Sequence, residues 1–312
     1  MRHDKFIEVQ KSISNVIMGK DDVIEKVMAA ILAKGHILLE DIPGVGKTTL
    51  AVAFSKVLSL EYRRMQFTPD VLPADVTGFS MYNKQTNAFE YIKGAAICNL
   101  FLADEINRTS PKTQSALLEI MEEGKVTVDG VTRSVPEPFC VIATQNPLGS
   151  VGTQKLPESQ LDRFMIKLSM GYPSHDNEVD ILKKESSDKI GKLVPIVTFE
   201  DIIEAQNDVE NVCVKDVIYE YIVDLVELSR KDQELELGLS PRGSIALLHM
   251  SRAYAYLSGR DYVIPEDVIK AFYDVSSHRI VLNARAKADG INVMDILQRI
   301  QTLIDIPDVK KL

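Results

Sequence analysis

The stretch Asp41-Ile42-Pro43-Gly44-Val45-Gly46-Lys47-Thr48-Thr49 constrains this chain more than any other. It follows an apolar run, Ile37-Leu38-Leu39, which is too short for a helix and is bounded by Gly35-His36. A helical pattern from Leu50 to Leu58 comes after it. Strand, glycine loop and helix in that order are the context of a phosphate-binding loop. Glycines let successive backbone N–H groups turn inward, and the helix N-terminus adds the positive end of its dipole. In such a loop Lys47 reaches the β- and γ-phosphates and the Thr48 hydroxyl ligates Mg2+. The candidate phosphate contacts are Pro43, Gly44, Val45, Gly46, Lys47, Thr48 and Thr49. One position departs from the usual G-x-x-x-x-G-K-[ST] pattern, because Asp41 holds the place of the first glycine. A plain βα turn that happens to contain Gly-Lys-Thr is the competing reading, and the flanking strand and helix argue against it.

Two later strands end in polar groups that suit a bound triphosphate. Leu100-Phe101-Leu102-Ala103 is apolar and ends in Asp104-Glu105. Downstream of a phosphate loop, an aspartate there holds the Mg2+ water shell. The adjacent glutamate orients or deprotonates the attacking water. A nucleotide kinase need not keep such a glutamate. Phe139 to Ala143 is another buried strand, ending at Thr144-Gln145-Asn146-Pro147. The Asn146 amide can hold the attacking water between itself and Glu105; it is equally an Asn-Pro turn residue.

The rest of the chain falls into order around these strands. Lys5 to Lys34 reads as two helices. The first has Phe6, Val9, Ile13 and Ile17 at helical spacing and is broken by Gly19; Asp21-Asp22 opens the second. Glu61 to Phe67 reads as a strand, and Thr68-Pro69-Asp70 with Leu72-Pro73-Ala74-Asp75 as a loop. Phe79 to Gly94 has the polarity of a hairpin. Ser110-Pro111 starts a helix that runs to Glu123. Asp129-Gly130 turns a second hairpin between Lys125 and Ser134. Pro157 to Phe164 reads as a short helix and Met165 to Met170 as a last strand. Strands separated by helices give an α/β fold, a parallel sheet with helices on both faces. Ligand then belongs at the carboxyl ends of the strands, where Thr48, Asp104, Glu105 and Asn146 all fall.

Past Gly171-Tyr172-Pro173 the strand patterns stop and a smaller helical domain begins. Thr198 caps one helix, Val214 to Ser229 forms another, Ser240-Pro241 opens a third that Gly259 ends, and Pro265 opens a fourth. The boundary falls near Ser174 to Lys192. This gives a helical lead-in at 1–35, an αβα core at 36–175 and a helical lid at 190–312.

Bulk properties exclude several classes. The net charge of −9 argues against a protein whose main task is gripping nucleic acid. Cys98, Cys140 and Cys213 form no C-x-x-C pair, so neither a disulfide framework nor a zinc site is indicated. Cys98 and Cys140 read as buried thiols of a reducing compartment. The five histidines are scattered, without H-E-x-x-H, and read as structural or surface residues. No signal peptide or membrane-spanning stretch is visible, so a cytoplasmic location is expected.

Several runs together are specific. Leu38 to Ala51, Leu102 to Arg108, Ser110 to Glu119, Gln66 to Asp70, Val126 to Gly130 and Val141 to Pro147 resemble the MoxR family of AAA+ ATPases. The resemblance covers nearly the whole chain, and Asp41 is usual within that family. It implies a P-loop AAA+ core followed by an all-helical lid, with ATP and Mg2+ as the bound groups. It implies that Asn146 is the sensor 1 residue, that 79–94 is the helix-2 insert and that 125–134 is the pre-sensor 1 hairpin. Leu161-Asp162-Arg163-Phe164 resembles the segment bearing the arginine finger, so Arg163 is the candidate for a neighbour's γ-phosphate; otherwise it pairs with Asp162 or a nearby acid. Leu239-Ser240-Pro241-Arg242 resembles sensor 2 and puts Arg242 on the γ-phosphate from the lid. Otherwise Arg242 is a first-turn arginine, which the helix dipole disfavours and which calls for a compensating anion. Ile17-Met18-Gly19 matches the segment that lines the adenine; Lys5 to Gly19 can equally be only a packing helix.

An arginine supplied in trans makes hydrolysis depend on assembly, so a homo-oligomeric ring, a hexamer, is expected. The resemblance implies a chaperone-like remodelling ATPase with a von Willebrand factor A domain protein as partner. A nucleic-acid motor, a chelatase-type subunit driving metal insertion and a non-enzymatic nucleotide switch are the competing readings.

Overall fold

The computed structural model describes residues 2–146, 155–183 and 190–307. Pro147 and residues 184–189 of the expected domain boundary lie outside the described residues. The chain opens with α1 (Arg2–Ser14) and α2 (Asp21–Leu32). The first helix stops earlier than its apolar spacing suggests, and Ile17 lies in the turn beyond it, donating its N–H to Ile13 O at 2.8 Å.

β1 (Ile37–Glu40), α3 (Lys47–Val57) and β2 (Tyr62–Gln66) follow. The stretch Leu72 to Asp75, expected as loop, instead enters a short helix, α4 (Pro73–Thr77). Pro73 has the fixed φ that suits a first helical residue, and the Asp75 carboxylate accepts the Leu72 N–H at 2.8 Å. β3 (Gly78–Asn83) and β4 (Ala88–Lys93) form the first hairpin. β5 (Leu100–Asp104) leads through a 3-10 turn at Ile106–Arg108 to α5 (Pro111–Glu123), capped by the Ser110 hydroxyl. β6 (Lys125–Val128) and β7 (Val131–Ser134) form the second hairpin. Its Asp129 and Gly130 both take positive φ, as a tight Asp-Gly turn demands. β8 (Cys140–Gln145), α6 (Glu158–Leu161) and β9 (Ile166–Leu168) complete the core.

The central sheet has the order β2-β5-β8-β1-β9, and every pairing in it is parallel. Side chains alternate across it. Leu39, Leu102 and Ile142 pack with α1 to α3 in a core that continues into the later helices, while Leu38, Phe101, Ala103 and Val141 pack on the other face with Leu117 and Ile120 of α5. Register levels the carboxyl ends: Glu40 lies opposite Gln145, and Gln66 opposite Asp104. Cys98 and Cys140 are buried as expected, and burial pushes both thiols up to about 12.

The C-terminal part contains α7 (His175–Lys183), α8 (Phe199–Glu210) and α9 (Asp216–Lys231). It then adds β10 (Leu235–Leu237), α10 (Pro241–Leu257), α11 (Pro265–Ser276), β11 (Val281–Leu282), α12 (Ala284–Ala288) and α13 (Val293–Thr302). A parallel sheet flanked by helices and followed by a smaller helical domain is the expected architecture. The small antiparallel ribbon of β10 and β11 is an addition that strand patterning did not mark. α2 and α1 pack on α10 and α8, so the lid shares one hydrophobic core with one face of the sheet. No helix among the described residues is long and apolar enough to cross a membrane.

Candidate functional site

A cavity of about 400 Å3 opens where β1, β5 and β8 end. Its floor is the loop at Pro43, Gly44, Gly46 and Lys47. Gly44 and Gly46 take φ of 89° and 96°, a region that a side chain strains, so the loop's turn is available to glycine and little else. Nothing lies within 4 Å of where a Gly44 Cβ would be, and the nearest atom to a Gly46 Cβ is the Met170 methyl at 3.8 Å. Gly44 therefore faces open space, and Gly46 has only an ordinary contact beside it. Gly46 caps α3, so the helix N-terminus points into the cavity.

Asp41 has a structural role that explains why glycine is absent there. One carboxylate oxygen accepts the Ile42 N–H at 2.9 Å; the other accepts the Ser169 hydroxyl at 3.0 Å and the Gly171 N–H at 2.7 Å. The loop is thus tied to the chain leaving β9. Lys47 is 9% exposed and donates from Nζ to Asp41 O at 2.6 Å. Burial lowers its pKa, while Asp41, Asp104 and Glu105 pull the other way.

The acidic pair meets this loop from β5. Asp104 is fixed on both sides: Oδ1 accepts the Thr144 hydroxyl at 2.6 Å, and Oδ2 accepts Arg64 Nη2 at 2.7 Å and Nε at 3.2 Å. Glu105 sits at φ 56° and ψ 49° and donates its N–H to the same Thr144 hydroxyl at 2.9 Å. Its Oε2 accepts Gln66 Nε2 at 2.8 Å and Arg108 Nη1 at 2.6 Å. Its Oε1 accepts Asn146 Nδ2 at 3.2 Å. Lys47, Thr48, Thr49, Asp104, Glu105 and Asn146 therefore share one cavity with Pro43, Gly44 and Gly46. Arg64, Gln66, Thr144 and Arg108 were not singled out from sequence. Two-residue strand periodicity puts Arg64 and Gln66 on one side of β2, and parallel pairing to β5 brings that side to the acids.

The donor set fits a magnesium nucleotide. The glycine turns open onto the helix end, a buried cation stands behind them, and a hydroxyl and a carboxylate flank the loop. No cluster of three or more His, Cys, Asp or Glu among the described residues forms a metal cage. Mg2+ takes most of its ligands from phosphate and water, so one hydroxyl and one carboxylate are a sufficient contribution from the protein.

The two arginines lie elsewhere. Arg163 and Arg242 both pair with Glu122 near the end of α5. They line a second cavity of about 400 Å3 with Gly35, His36 and Met165. These three residues precede β1 and β9, so this cavity is at the amino end of strands whose carboxyl ends carry the phosphate loop. The four residues of β1 alone span about 13 Å at 3.3 Å each. The resemblance puts Arg242 on the γ-phosphate from the lid; the structure instead holds Arg242 at the amino end of the strands, outside this chain's phosphate-loop cavity. Glu122 supplies the anion that a first-turn arginine requires, and it is Glu122 rather than Asp162 that pairs with Arg163. Ile17, Met18 and Gly19 are not part of the phosphate-loop cavity. They adjoin the chain after β9, where Lys20 Nζ donates to Met170 O and, at 2.9 Å, to Tyr172 O.

Known proteins resemble this chain over nearly its whole length. Residues 36–166 match the family described as the ATPase family associated with various cellular activities (AAA), and residues 227–300 match the AAA lid domain. The YeaC protein of Bacillus subtilis is 51% identical over 95% of this chain and 92% of its own length. Chaperone MoxR1 of Mycobacterium tuberculosis is 38% identical over 95% of this chain and 81% of its own. A crystal structure of a Cytophaga hutchinsonii protein superposes with a TM-score of 0.92 at 36% identity, covering 98% of this chain and 96% of that one.

Proposed function

The chain belongs to the MoxR family of AAA+ ATPases, and we propose that it hydrolyses ATP with Mg2+ to remodel partner protein complexes. The observation that carries the reading is the convergence of Lys47, Thr48, Asp104, Glu105 and Asn146 on one cavity at the end of the sheet. The N–H groups of Gly44 to Lys47 and the Lys47 ammonium bind the phosphates. Thr48 and Asp104 would hold Mg2+, which would neutralise charge on the phosphate oxygens. Glu105 takes the proton of the attacking water, and Asn146 orients that water. With Arg108, Gln66 and Asn146 all donating to it, the Glu105 carboxylate is held back from that role. Release from Arg108 leaves Oε2 with Gln66 alone and frees one of its lone pairs to act as base.

Arg163 and Arg242 complete the site of an adjoining copy rather than their own. They project beside one another at the far end of the strands, where they can meet a second subunit's nucleotide. A trans arginine in comparable enzymes contributes roughly 10³–10⁵ in rate. Hydrolysis then requires a ring, which we assign as a hexamer in the cytoplasm, working on a von Willebrand factor A domain partner. A nucleic-acid motor is disfavoured: Arg133 on the β6–β7 hairpin stacks 4.1 Å from the Tyr91 ring and donates to Val131 O at 3.1 Å.

The test is the Glu105→Gln variant. It should bind ATP as tightly as the parent protein while phosphate release falls by at least about 10²-fold, the lower range for loss of a general base. Unchanged phosphate release would overturn the reading.

A further inference from the structure

We propose that Asp162 and Arg279 are a positioning pair that sets Arg163 and Arg242 as one unit for the neighbouring site. This rests on the trans reading above. Arg163 follows α6, a helix of only four residues, which has little stability of its own. What fixes its loop is Arg279, a lid residue whose side chain is 2% exposed. All five guanidinium N–H groups are used. Nε donates to Asp162 Oδ1 at 2.8 Å. Nη2 donates to Asp162 O at 3.1 Å and Phe164 O at 2.6 Å, and Nη1 to Met165 O at 3.0 Å and Val275 O at 2.5 Å. The carbonyls of 162, 164 and 165 bracket Arg163 on both sides. His278 Nε2 adds a bond of 3.0 Å to Phe164 O.

Asp162 also reaches the second arginine. Its carboxylate accepts the Ser240 hydroxyl at 2.9 Å. Ser240 caps α10, accepting the Gly243 N–H at 3.1 Å, and Arg242 stands in the first turn of that helix. A Cβ at Gly243 would come within 3.2 Å of Arg279 Cδ, so the missing side chain lets the arginine stem lie against the start of α10. Asp162 therefore ties the loop of Arg163 and the cap of Arg242 to one buried guanidinium. Both arginines then converge on Glu122. Lid and finger loop move as a single body.

Mixing inactive variants tests this. Asp162→Asn keeps the shape and removes the charge. Alone it should lose about 10²-fold in turnover, the scale for displacing a reacting group by about 1 Å. Its affinity for a fluorescent ADP analogue should not change. Mixed with Glu105→Gln subunits, whose arginines are intact, it should regain turnover; mixed with Arg163→Ala it should not. A merely structural defect would not be rescued in this partner-specific way. Ser240→Ala, which keeps the Arg279 pair, should give the same pattern and serves if Asp162→Asn does not fold. Full turnover by both variants alone, or failure of rescue by Glu105→Gln while Arg163→Ala is rescued, overturns the positioning role. If Arg163→Ala is not rescued either, the trans reading itself falls.

Discussion

Glu105 holds a left-handed backbone at φ 56°, which costs a bulky acid roughly 1–3 kcal/mol unless its surroundings enforce it. Thr144 enforces it by accepting the Glu105 N–H while donating to Asp104, so one hydroxyl aims both acids. His36 shows the same economy at the other end of the sheet. It is buried, donates from Nε2 to Met121 O at 2.9 Å and accepts the Val141 N–H at Nδ1 at 3.0 Å. Only the neutral ring can do both, and burial lowers its pKa to about 4. Between that value and an unfolded value of about 6.5 the unfolded chain binds more protons, so stability falls as pH drops through this window. The loss amounts to about 3 kcal/mol at the acid end. A His36→Gln variant, which retains a donor and an acceptor, should show a shallower fall in melting temperature between pH 6.5 and 4. Parallel curves for the two proteins would count against this account. The loop residues and the acidic pair were legible because each is marked by its neighbours in the chain. Arg64 and Arg279 were not, because their partners lie 40 and 117 positions away and only folding brings them together.

At the scale of elements, patterning worked where an element was long and bounded. α5 has its serine cap, its proline at the first position and Gly124 just past its end. α4 was hidden because five residues show no period, and β10 and β11 because strands of three and two residues carry no alternation. α13 was legible in principle, with Asn292 capping and Ile296, Leu297 and Ile300 on one face. α5 also has a positional role. Its first turn lies next to the Glu105 to Arg108 segment, and Glu122 is near its other end, about 20 Å away for 13 residues. The helix joins the acidic pair to the anchor of the arginines. Ser110→Ala removes the cap on the Thr113 N–H and should lower unfolding free energy by about 1 kcal/mol in a urea titration. No shift in midpoint would mean that the Ser110 hydroxyl contributes nothing to holding this end.

For the whole molecule, the phosphate loop and the arginines occupy opposite ends of the strands. On the proposed trans reading two copies meet by different surfaces, which closes as a ring or continues as a filament. Sedimentation velocity with an ATP analogue should show a closed oligomer larger than a dimer. A monomer with both ADP and the analogue, hydrolysing at a rate per subunit independent of concentration, would exclude this assembly. The docking end of α10 could not be read from the sequence. The Ser-Pro-Arg signature marks α10 as the bearer of an arginine, but its docking end is set by Arg279 and the shared core.

The Glu122 carboxylate, shared by two guanidinium groups, has one more consequence. On the proposed trans reading, a copy with a damaged finger loop would still burn its own fuel but leave its neighbour idle, so harm would land one seat away from the defect. On that reading each copy carries a giving end and a receiving end before any other copy arrives, since its arginines and its phosphate loop line different cavities.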